Sequence, residues 1–506
     1  MYARIYGEAT QDGGPGALEY AKPLRWLPTT PQGSLIIGIH QKGSWMNTYR
    51  KMAAVALAAG VGLSAAACGS SSTKTTPGTG GSFSPVLDPA TKVTISIDCA
   101  PAANKPVESK QWADDVAAFN KIYPNVTINA KPMTKCEDPA PFTAMLQGHT
   151  ETDVFYTYFT DKQQVLDSGA AADITKYVTP QTVPALKDIQ PAVLALNADG
   201  GKLYGLPRTN YTMGMIIDRA LFKRAGLDPN KPPTTWADVA TDAAAISKLG
   251  NGISGYADYS AANTGGWHFT AELYGLGGRM VDSTGKKAAF NTDLGKQVLQ
   301  NLYDMRWKTG GIGAAQMIKW GDLQAAMAAG KLGMYISAPD DITYMTQTLK
   351  GNASDYGIGP MPGTQGALTG GDDYYFKKTD TPDQIKAGIA WLNFKLLTPG
   401  KGQFQYDRNK TGGLPVGIPE PEFFAAGSPS LTADNSNKLA SATLPVANYE
   451  QFVSNPVTPV VEPPNAQAIY KVLDGAMSAV LTNKNADVAQ LLAKAETDVN
   501  TVLANS

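Results

Sequence analysis

Length, composition and charge exclude several classes of protein. The chain has 506 residues, more than the roughly 250 to 300 at which a single core usually divides, and 43% of them are hydrophobic, which excludes disorder throughout. Its 43 basic and 44 acidic residues give a net charge of −1, so it lacks the excess positive charge of a nucleic-acid-binding protein. Its three histidines and three cysteines, without CxxC or HExxH spacing, are too few for a classical zinc or iron–sulfur site. We therefore expect no metal, no cofactor and no nucleic-acid partner.

The first patterned segment has the order of an export signal. Arg50 and Lys51 precede an apolar run at 52–63, and small residues follow up to Cys68. A run of about 12 residues is shorter than the roughly 20 that span a bilayer, but it is typical of a signal peptide. The ending LSAAACG resembles a bacterial lipobox, although Ala65 stands where the pattern prefers leucine. The resemblance implies a lipoprotein signal peptide over 46–67 and lipidation of Cys68; plain secretion is the alternative.

Segments with little apolar pattern lie on either side of this signal. Residues 1–45 show no periodic pattern of apolar residues, and Met46 begins a normal signal sequence. We therefore expect 1–45 to be a non-native upstream extension. Residues 68–89 are rich in Ser, Thr, Gly and Pro and should form a flexible tether, because they have little apolar surface to bury. With Cys68 lipidated, the folded body would be anchored to the outer face of the cell membrane; an ordinary disordered N-terminus is the alternative.

From residue 90 onward, strand and helix patterns alternate. Period-2 patterns predict strands at 92–98 and 125–130, and an apolar run predicts a further strand at 153–159. Helical patterns and a capping box at Thr235 predict helices at 110–123, from 236, at 465–481 and at 487–503. This order favours the α/β class, with mostly parallel sheets covered by helices.

Cys99 and Cys136 follow the first two predicted strands. Outside the cytosol such a pair tends to oxidise, so we expect a disulfide. It would close a loop of roughly 38 residues and contribute about 4 kcal/mol to stability. A pair of free buried thiols is the alternative.

The segment 199–246 contains a family signature. It reads DGGKLYGLPRTNYTMGMIIDRALFKRAGLDPNKPPTTWADVATDAAAI and resembles the pattern dGK-YGlP, NkdLFkkAGl and P-TWdEl of the family 1 extracellular solute-binding proteins of ABC importers, which include maltose- and trehalose-type receptors. Further matches include YPNVTI at 123–128, YGIGPMPG at 356–363 and GGLPVG at 412–417. These matches occur in the order and with the spacing of the family pattern, and together they extend over almost the whole mature chain.

The resemblance implies a two-lobe periplasmic-binding-protein fold of type II, with a hinge that the chain crosses more than once. Pro207 to Thr209, Gly370 with Gly371, and the proline-rich stretch 454–464 are the expected crossings. Lobe one would then comprise 90–208 plus 371–450, and lobe two 209–370 plus 451–506. The solute would lie in the cleft between the lobes.

A sugar site needs aromatic platforms for the C–H faces and side chains that hydrogen-bond with hydroxyls. We expect the ligand-binding residues at strand ends, beside glycines and at positions that the resemblance indicates. They are Tyr156, Tyr158, Asp161, Tyr211, Trp267, Asp340, Gly371, Asp372, Asp373, Tyr374 and Tyr470. Asp340 departs from the family pattern, which often has an aromatic residue there. Core packing for the aromatic residues and a solvated loop for the acids are the alternatives.

The expected function is that of a non-catalytic, monomeric, lipid-anchored receptor. It would bind a mono- or oligosaccharide and deliver it to ABC permease subunits with a cytoplasmic ATPase. The alternatives are a polyol, glycerophosphodiester or polyamine receptor, a ferric-ion receptor using Tyr374 and Tyr375, or a glycosidase. The glycosidase would take its carboxyl pair from Asp340, Asp341, Asp372 and Asp373.

Overall fold

The computed structural model of the chain describes residues 83–132, 141–419 and 423–505. The predicted extension at 1–45, the signal peptide at 46–67, Cys68 and most of the tether lie outside these residues. Cys136 does too, so the pairing with Cys99 stays a prediction.

Strands and helices alternate through the described residues. The strands are β1 (Val93–Ile97), β2 (Val126–Ala130), β3 (Val154–Tyr158), β4 (Ala198–Asp199), β5 (Lys202–Leu203), β6 (Gly205–Thr212), β7 (Gly214–Asp218), β8 (Ser254–Tyr256), β9 (Leu332–Ser337), β10 (Tyr356–Gly359), β11 (Ala367–Phe376) and β12 (Pro459–Val461). The helices are α1 (Pro106–Asn120), α2 (Phe142–Gly148), α3 (Lys162–Asp167), α4 (Pro191–Ala195), α5 (Arg219–Arg224), α6 (Trp236–Ser247), α7 (Thr264–Gly275), α8 (Asp293–Asp304), α9 (Asp322–Ala328), α10 (Asp340–Thr343), α11 (Pro382–Leu392), α12 (Tyr406–Thr411), α13 (Pro429–Ala440), α14 (Glu450–Ser454), α15 (Ala466–Thr482) and α16 (Val488–Ala504).

Local sequence explains several of these boundaries. The predicted strands β1, β2 and β3 and the helices α6, α15 and α16 lie within one or two residues of their expected positions. Helix α6 begins where expected because the Thr235 hydroxyl accepts the backbone N–H of Asp238 at 3.2 Å. Helix α1 begins at Pro106, four residues before the predicted start, since proline is tolerated in the first helical turn.

Two mixed sheets organise the fold. In the first, β1 pairs in parallel with β2 and β3, whereas β11 pairs antiparallel with β3 and β6 and in parallel with β12. The second has the order β10-β7-β9-β8, with β9 parallel to β8 and the other pairs antiparallel. The α/β two-lobe class expected from the sequence is confirmed, but the expectation of mostly parallel sheets is wrong, because β11 and β7 pair antiparallel with their main neighbours.

The chain passes from one sheet to the other between consecutive strands. Only Met213 separates β6 of the first sheet from β7 of the second, and β10 of the second sheet precedes β11 of the first. Because β6 and β12 both pair with β11, the three segments expected to cross the hinge lie side by side.

Each sheet has its own apolar core. Ile95, Val154 and Trp391 belong to the cluster of the first sheet, and large clusters on the second sheet include Met215, Phe269 and Leu473. Leu444 and Tyr449 were assigned to lobe one, but they pack beside the second sheet with Tyr335 and Ile358. The last residues of the segment 371–450 therefore contact the second sheet.

Candidate functional site

A cavity of about 700 Å³ lies where the segments joining the two sheets meet. Its walls carry both aromatic rings and polar side chains, as a polyhydroxylated ligand requires. Of the residues nominated from the sequence, the structure brings together at this cavity Tyr156, Tyr158, Tyr211, Trp267, Asp340, Gly371, Asp372 and Tyr470.

Strand register places the first group of cavity residues. Asp372 of β11 lies opposite Tyr158 of β3 on one side and opposite Thr209 of β6 on the other. Gly371 lies opposite Asn210, which also lines the cavity. Residues far apart in the chain therefore meet because β11 is shared by β3 and β6.

Arg208 and Asp372 form a two-contact ion pair on the cavity wall. Arg208 Nε donates to Asp372 Oδ1 at 2.6 Å, and its Nη2 donates to Oδ2 of the same carboxylate. The Tyr156 hydroxyl donates to Asp372 Oδ2 at 2.8 Å, and the guanidinium lies 5.5 Å from the centre of the Tyr156 ring. Burial and the Asp372 charge raise the pKa of Tyr156 well above its usual value, so its hydroxyl stays protonated.

Asp372 is therefore held as an acceptor, while Arg208 keeps further donors. A guanidinium has five N–H groups, and two of those of Arg208 bind Asp372. The Arg208 side chain is 37% exposed and lines the cavity. It is thus a candidate donor to ligand hydroxyls, in addition to its expected place at the hinge crossing.

Two aromatic rings form a corner of the cavity. The centroids of Tyr211 and Trp267 lie 6.2 Å apart, and the ring planes are nearly perpendicular at 85°. Trp267 is on α7, which packs closely on α15: a Cβ atom at Gly266 would lie 2.3 Å from the Cα of Tyr470. The glycines before Trp267 thus let the helix approach α15 and carry the indole to the cavity.

Glu462, which is partly buried, and the buried Tyr470 form a hydrogen-bonded pair beside this corner. The Tyr470 hydroxyl donates to Glu462 Oε1 at 2.9 Å, and both residues line the cavity. Burial raises the pKa of Glu462 to about 7, although the bond from Tyr470 partly lowers it. Both protonation states of this carboxyl are therefore populated near neutral pH.

A further carboxylate, Asp340, lies exposed at the cavity on the first turn of α10. Its neighbour Asp341 is buried and accepts from Ser337 Oγ at 2.5 Å, Gln324 Nε2 at 2.7 Å and Tyr335 Oη at 3.0 Å. These bonds hold the start of α10 and so position Asp340. Asp340 is exposed and Asp341 is buried and hydrogen-bonded, and this difference between adjacent aspartates comes from tertiary contacts.

Three nominated residues lie elsewhere. Asp161 is buried and accepts the backbone N–H of Tyr158 at 3.0 Å, so it stabilises the turn after β3. Asp373 is fully buried, because it follows Asp372 on a strand and points to the opposite face. Tyr374 packs in the core of the first sheet, with its ring 5.8 Å from that of Tyr156.

The same alternation separates the two tyrosines of the ferric alternative. Tyr374 packs with the core that contains Tyr156, whereas Tyr375 packs in a different cluster with Phe155. Their phenols therefore do not converge on one ion. Within the described ranges, no group of three or more His, Cys, Asp or Glu residues is arranged to hold a metal.

The carboxyl pair of the glycosidase alternative is also divided. Asp340 and Asp372 line the cavity, but Asp341 and Asp373 are buried away from it. Both oxygens of Asp372 bind Arg208 or Tyr156, which holds this carboxylate in place as an acceptor.

Sequence reasoning missed part of the cavity lining. That part is formed by residues of α12, α13 and the segment between them, among them Tyr406, Asp434 and Lys438. Nothing in their local sequence distinguishes them from other surface-helix residues. Glu462 lay within a segment already identified as a crossing, so its position beside prolines was an available signal.

No helix in the described part of the chain combines the length and apolar character needed to cross a bilayer.

The chain is similar to known binding proteins in sequence and in fold. A curated relative, the sn-glycerol-3-phosphate-binding periplasmic protein UgpB of Yersinia enterocolitica, is 26% identical over 235 residues, which cover 44% of this chain and 50% of the relative. The chain thus spans about half the length of that protein.

Solved structures match over a longer region. An ABC transporter solute-binding protein of Thermotoga lettingae bound with α-D-tagatose matches with a TM-score of 0.64 and 18% identity, covering 82% of this chain and all of that one. UgpB from Mycobacterium tuberculosis in complex with glycerophosphocholine matches with a TM-score of 0.61 and 14% identity, covering 82% and 99%. At these identities the likeness concerns the fold. The family model of the bacterial extracellular solute-binding proteins matches residues 102–400, more than half of the sequence, so the chain belongs to that family.

Proposed function

We propose that this protein is the solute-binding component of an ABC importer and that its solute is a neutral carbohydrate. The observation that carries the proposal is the perpendicular pair of Tyr211 and Trp267 beside hydrogen-bonding groups in one cavity. A sugar ring places its C–H face on an aromatic platform and its hydroxyls against donors and acceptors at the edge.

The charges of the cavity favour a neutral solute. Two basic side chains line it, Arg208 and Lys438, and each is paired with a carboxylate, Asp372 in one case and Asp434 at 3.8 Å in the other. The acidic lining residues number four, since Asp340 and Glu462 are also present. An anionic phosphate ester would therefore meet an excess of negative charge, whereas hydroxyl groups donate well to carboxylates.

A glycerophosphodiester such as glycerophosphocholine is the second candidate. Its trimethylammonium group would suit the aromatic corner, and its phosphate would suit the partly exposed guanidinium of Arg208. The Mycobacterium tuberculosis neighbour in complex with glycerophosphocholine supports this candidate directly, and the curated relative that binds sn-glycerol 3-phosphate supports it in part.

The remaining features of the proposal concern transport. The body would be a monomer on the outer face of the membrane, anchored through lipidated Cys68, and would bind without catalysis. Solute would shift the population toward closed lobes, because only the closed form presents both walls of the site. ABC permease subunits with a cytoplasmic ATPase would recognise that form.

A thermal-unfolding panel tests the choice of solute. Glucose, trehalose, maltose, glycerol 3-phosphate, glycerophosphocholine and spermidine would each be added to the protein. A ligand at a hundred times its dissociation constant adds about 2.7 kcal/mol of stability. Stabilisation by a sugar and not by the phosphate esters supports the proposal; stabilisation by glycerophosphocholine alone replaces it with the second candidate. Hydrolysis of aryl glycosides would contradict the non-catalytic role.

A further inference from the structure

Gln403 lines the cavity, and the nitrogen end of its amide is fully engaged by the protein. Its Nε2 donates to the main-chain oxygen of Arg208 at 2.9 Å and to that of Leu396 at 2.8 Å. A side-chain amide nitrogen has two N–H groups, so both donors of Gln403 are used. One bond reaches the hinge strand β6 and the other the segment after α11, so the side chain is fixed between two parts of the chain.

These two bonds also determine the orientation of the amide. In the reversed orientation, Oε1 would face two carbonyl oxygens, and none of the three atoms carries a hydrogen. Oε1 therefore points away from both carbonyls. It has no hydrogen-bond partner among the described residues, and it keeps access to solvent because Gln403 is only partly buried. Gln403 thus retains one acceptor, and no donor, for a ligand.

The turn that carries Gln403 is held by a buried carboxylate. Gln403 lies in the short helical turn Gly402–Phe404, between α11 and α12. Arg408 Nη2 donates to the main-chain oxygen of Gly402 at 2.8 Å, and Arg408 Nη1 donates to the buried Asp115 at 2.5 Å. These bonds tie the turn to α1, which packs on the first sheet. The Oε1 acceptor is therefore held in place before a ligand arrives.

A fixed acceptor requires a donor from the ligand. A ligand that covers Oε1 without donating to it leaves a desolvated acceptor unpaired, which lowers its affinity. A sugar hydroxyl can donate to Oε1, whereas the oxygens of a phosphate diester can only accept. A hydroxyl is therefore favoured at Gln403, and a phosphodiester group is disfavoured there.

We propose that Gln403 is a specificity-determining residue of the cavity and that its Oε1 accepts a hydrogen bond from one hydroxyl of the solute. This inference rests on the proposed carbohydrate function and deepens it, because it assigns a hydroxyl that must act as a donor. Arg208 has the complementary part: its guanidinium can donate to the solute, and its main-chain oxygen orients Gln403.

Fluorinated sugars test this assignment, because replacing a hydroxyl with fluorine removes its donor. Titration calorimetry would compare glucose with derivatives of glucose that each carry one fluorine in place of a hydroxyl. Derivatives of maltose or trehalose take their place if the protein binds that disaccharide instead. The derivative without the hydroxyl that contacts Gln403 should bind about threefold to tenfold more weakly than the unmodified sugar. Equal affinities for all derivatives and the unmodified sugar would overturn the proposal.

A variant identifies the hydroxyl that depends on Gln403. Gln403→Ala should bind the affected derivative and the unmodified sugar equally, while losses caused by hydroxyls that donate to Asp340 should remain. A merely structural role would weaken every sugar in the same ratio and leave all differences intact, and that result would refute the assignment. Gln405→Ala is the matched control: Gln405 is also partly buried but does not line the cavity, so the pattern of the parent should persist.

Gln403→Met serves if Gln403→Ala does not fold, because methionine keeps the length of the side chain. Its thioether is only a weak acceptor, so the difference between the affected derivative and the unmodified sugar should disappear here too. A persisting difference would count against Gln403. Failure of glucose, maltose and trehalose to bind, with binding of glycerophosphocholine, would instead overturn the carbohydrate function and this inference with it.

Discussion

Gly370 lies directly opposite Tyr211 in the antiparallel pair of β6 and β11, and a Cβ atom at Gly370 would come within 2.3 Å of the Tyr211 phenol oxygen. The same Cβ would lie 2.8 Å from Glu462 Oε2. The absence of a side chain at Gly370 therefore allows the Tyr211 ring and the Glu462 carboxyl to lie against the backbone at the hinge.

Gly370→Ala should displace the Tyr211 ring and weaken solute binding by about tenfold or more, since the aromatic corner would open. The dissociation constant of the best sugar, measured by calorimetry, checks this. Gly475→Ala is the control, because nothing lies within 4 Å of a Cβ at that helical position. Unchanged affinity in Gly370→Ala would mean that Tyr211 does not contact solute.

Trp267→Ala should abolish the stabilisation of the protein by sugar without unfolding it, because the indole is only partly buried and lines the cavity. The measurement is the unfolding temperature with and without solute. Trp307→Ala is a matched control, since Trp307 is also partly buried but lies outside the cavity lining. That variant should lose some stability and keep the full ligand effect; a retained ligand effect in Trp267→Ala would refute the role of the indole.

Asp115→Ala should destabilise the protein by about 3 to 5 kcal/mol. Asp115 is 1% exposed and accepts from both Lys395 and Arg408, so its loss leaves two largely buried cations without their carboxylate. Denaturant unfolding measures the change. The adjacent Asp114 pairs with Lys110 on the exposed side of the same helix, and Asp114→Ala should cost less than about 1 kcal/mol. Similar losses in the two variants would show that burial of the Asp115 cluster is unimportant.

Glu462 should make stability fall as the pH rises through the acidic range. Burial raises its pKa in the folded protein to about 7, above the ordinary value of 4.5, so the folded state binds this proton more tightly than the unfolded state does. The stability that the protonated carboxyl provides is thus complete below about pH 4.5 and is lost progressively up to about pH 7.

Glu462→Gln removes this titration, so its unfolding temperature should fall less steeply than that of the parent between pH 4.5 and 7. Thermal unfolding of both proteins across that range checks the difference. Glu450→Gln, at an exposed position, should follow the parent curve. Parallel curves for the parent and Glu462→Gln would indicate that Glu462 titrates normally in the folded protein.

Local patterns predicted the elements whose signals are local. The strands β1 and β2 alternate in the sequence, β3 is a short apolar run, and the start of α6 depends on a hydrogen bond between residues three apart. The site was partly predicted, because the family resemblance nominated Tyr211 and Trp267 and the structure places both at the cavity. Two residues expected at the site lie away from the cavity for different reasons: Asp373 directly follows Asp372 and points to the opposite face of the strand, whereas Tyr374 shares the face of Asp372 but packs in the core of the first sheet.

The sequence by itself determined the class of the fold, the family and the chemical character of the site. The spacing of apolar residues, the helix-capping residues and the family signature are each contained in a short segment of the chain. Only the tertiary structure decided which side chains meet. Arg208 binds Asp372 across 164 positions of sequence, and Tyr406 reaches the same cavity from a helix with no distinguishing motif. Such contacts depend on sheet register and on the packing of distant helices, which no local pattern encodes.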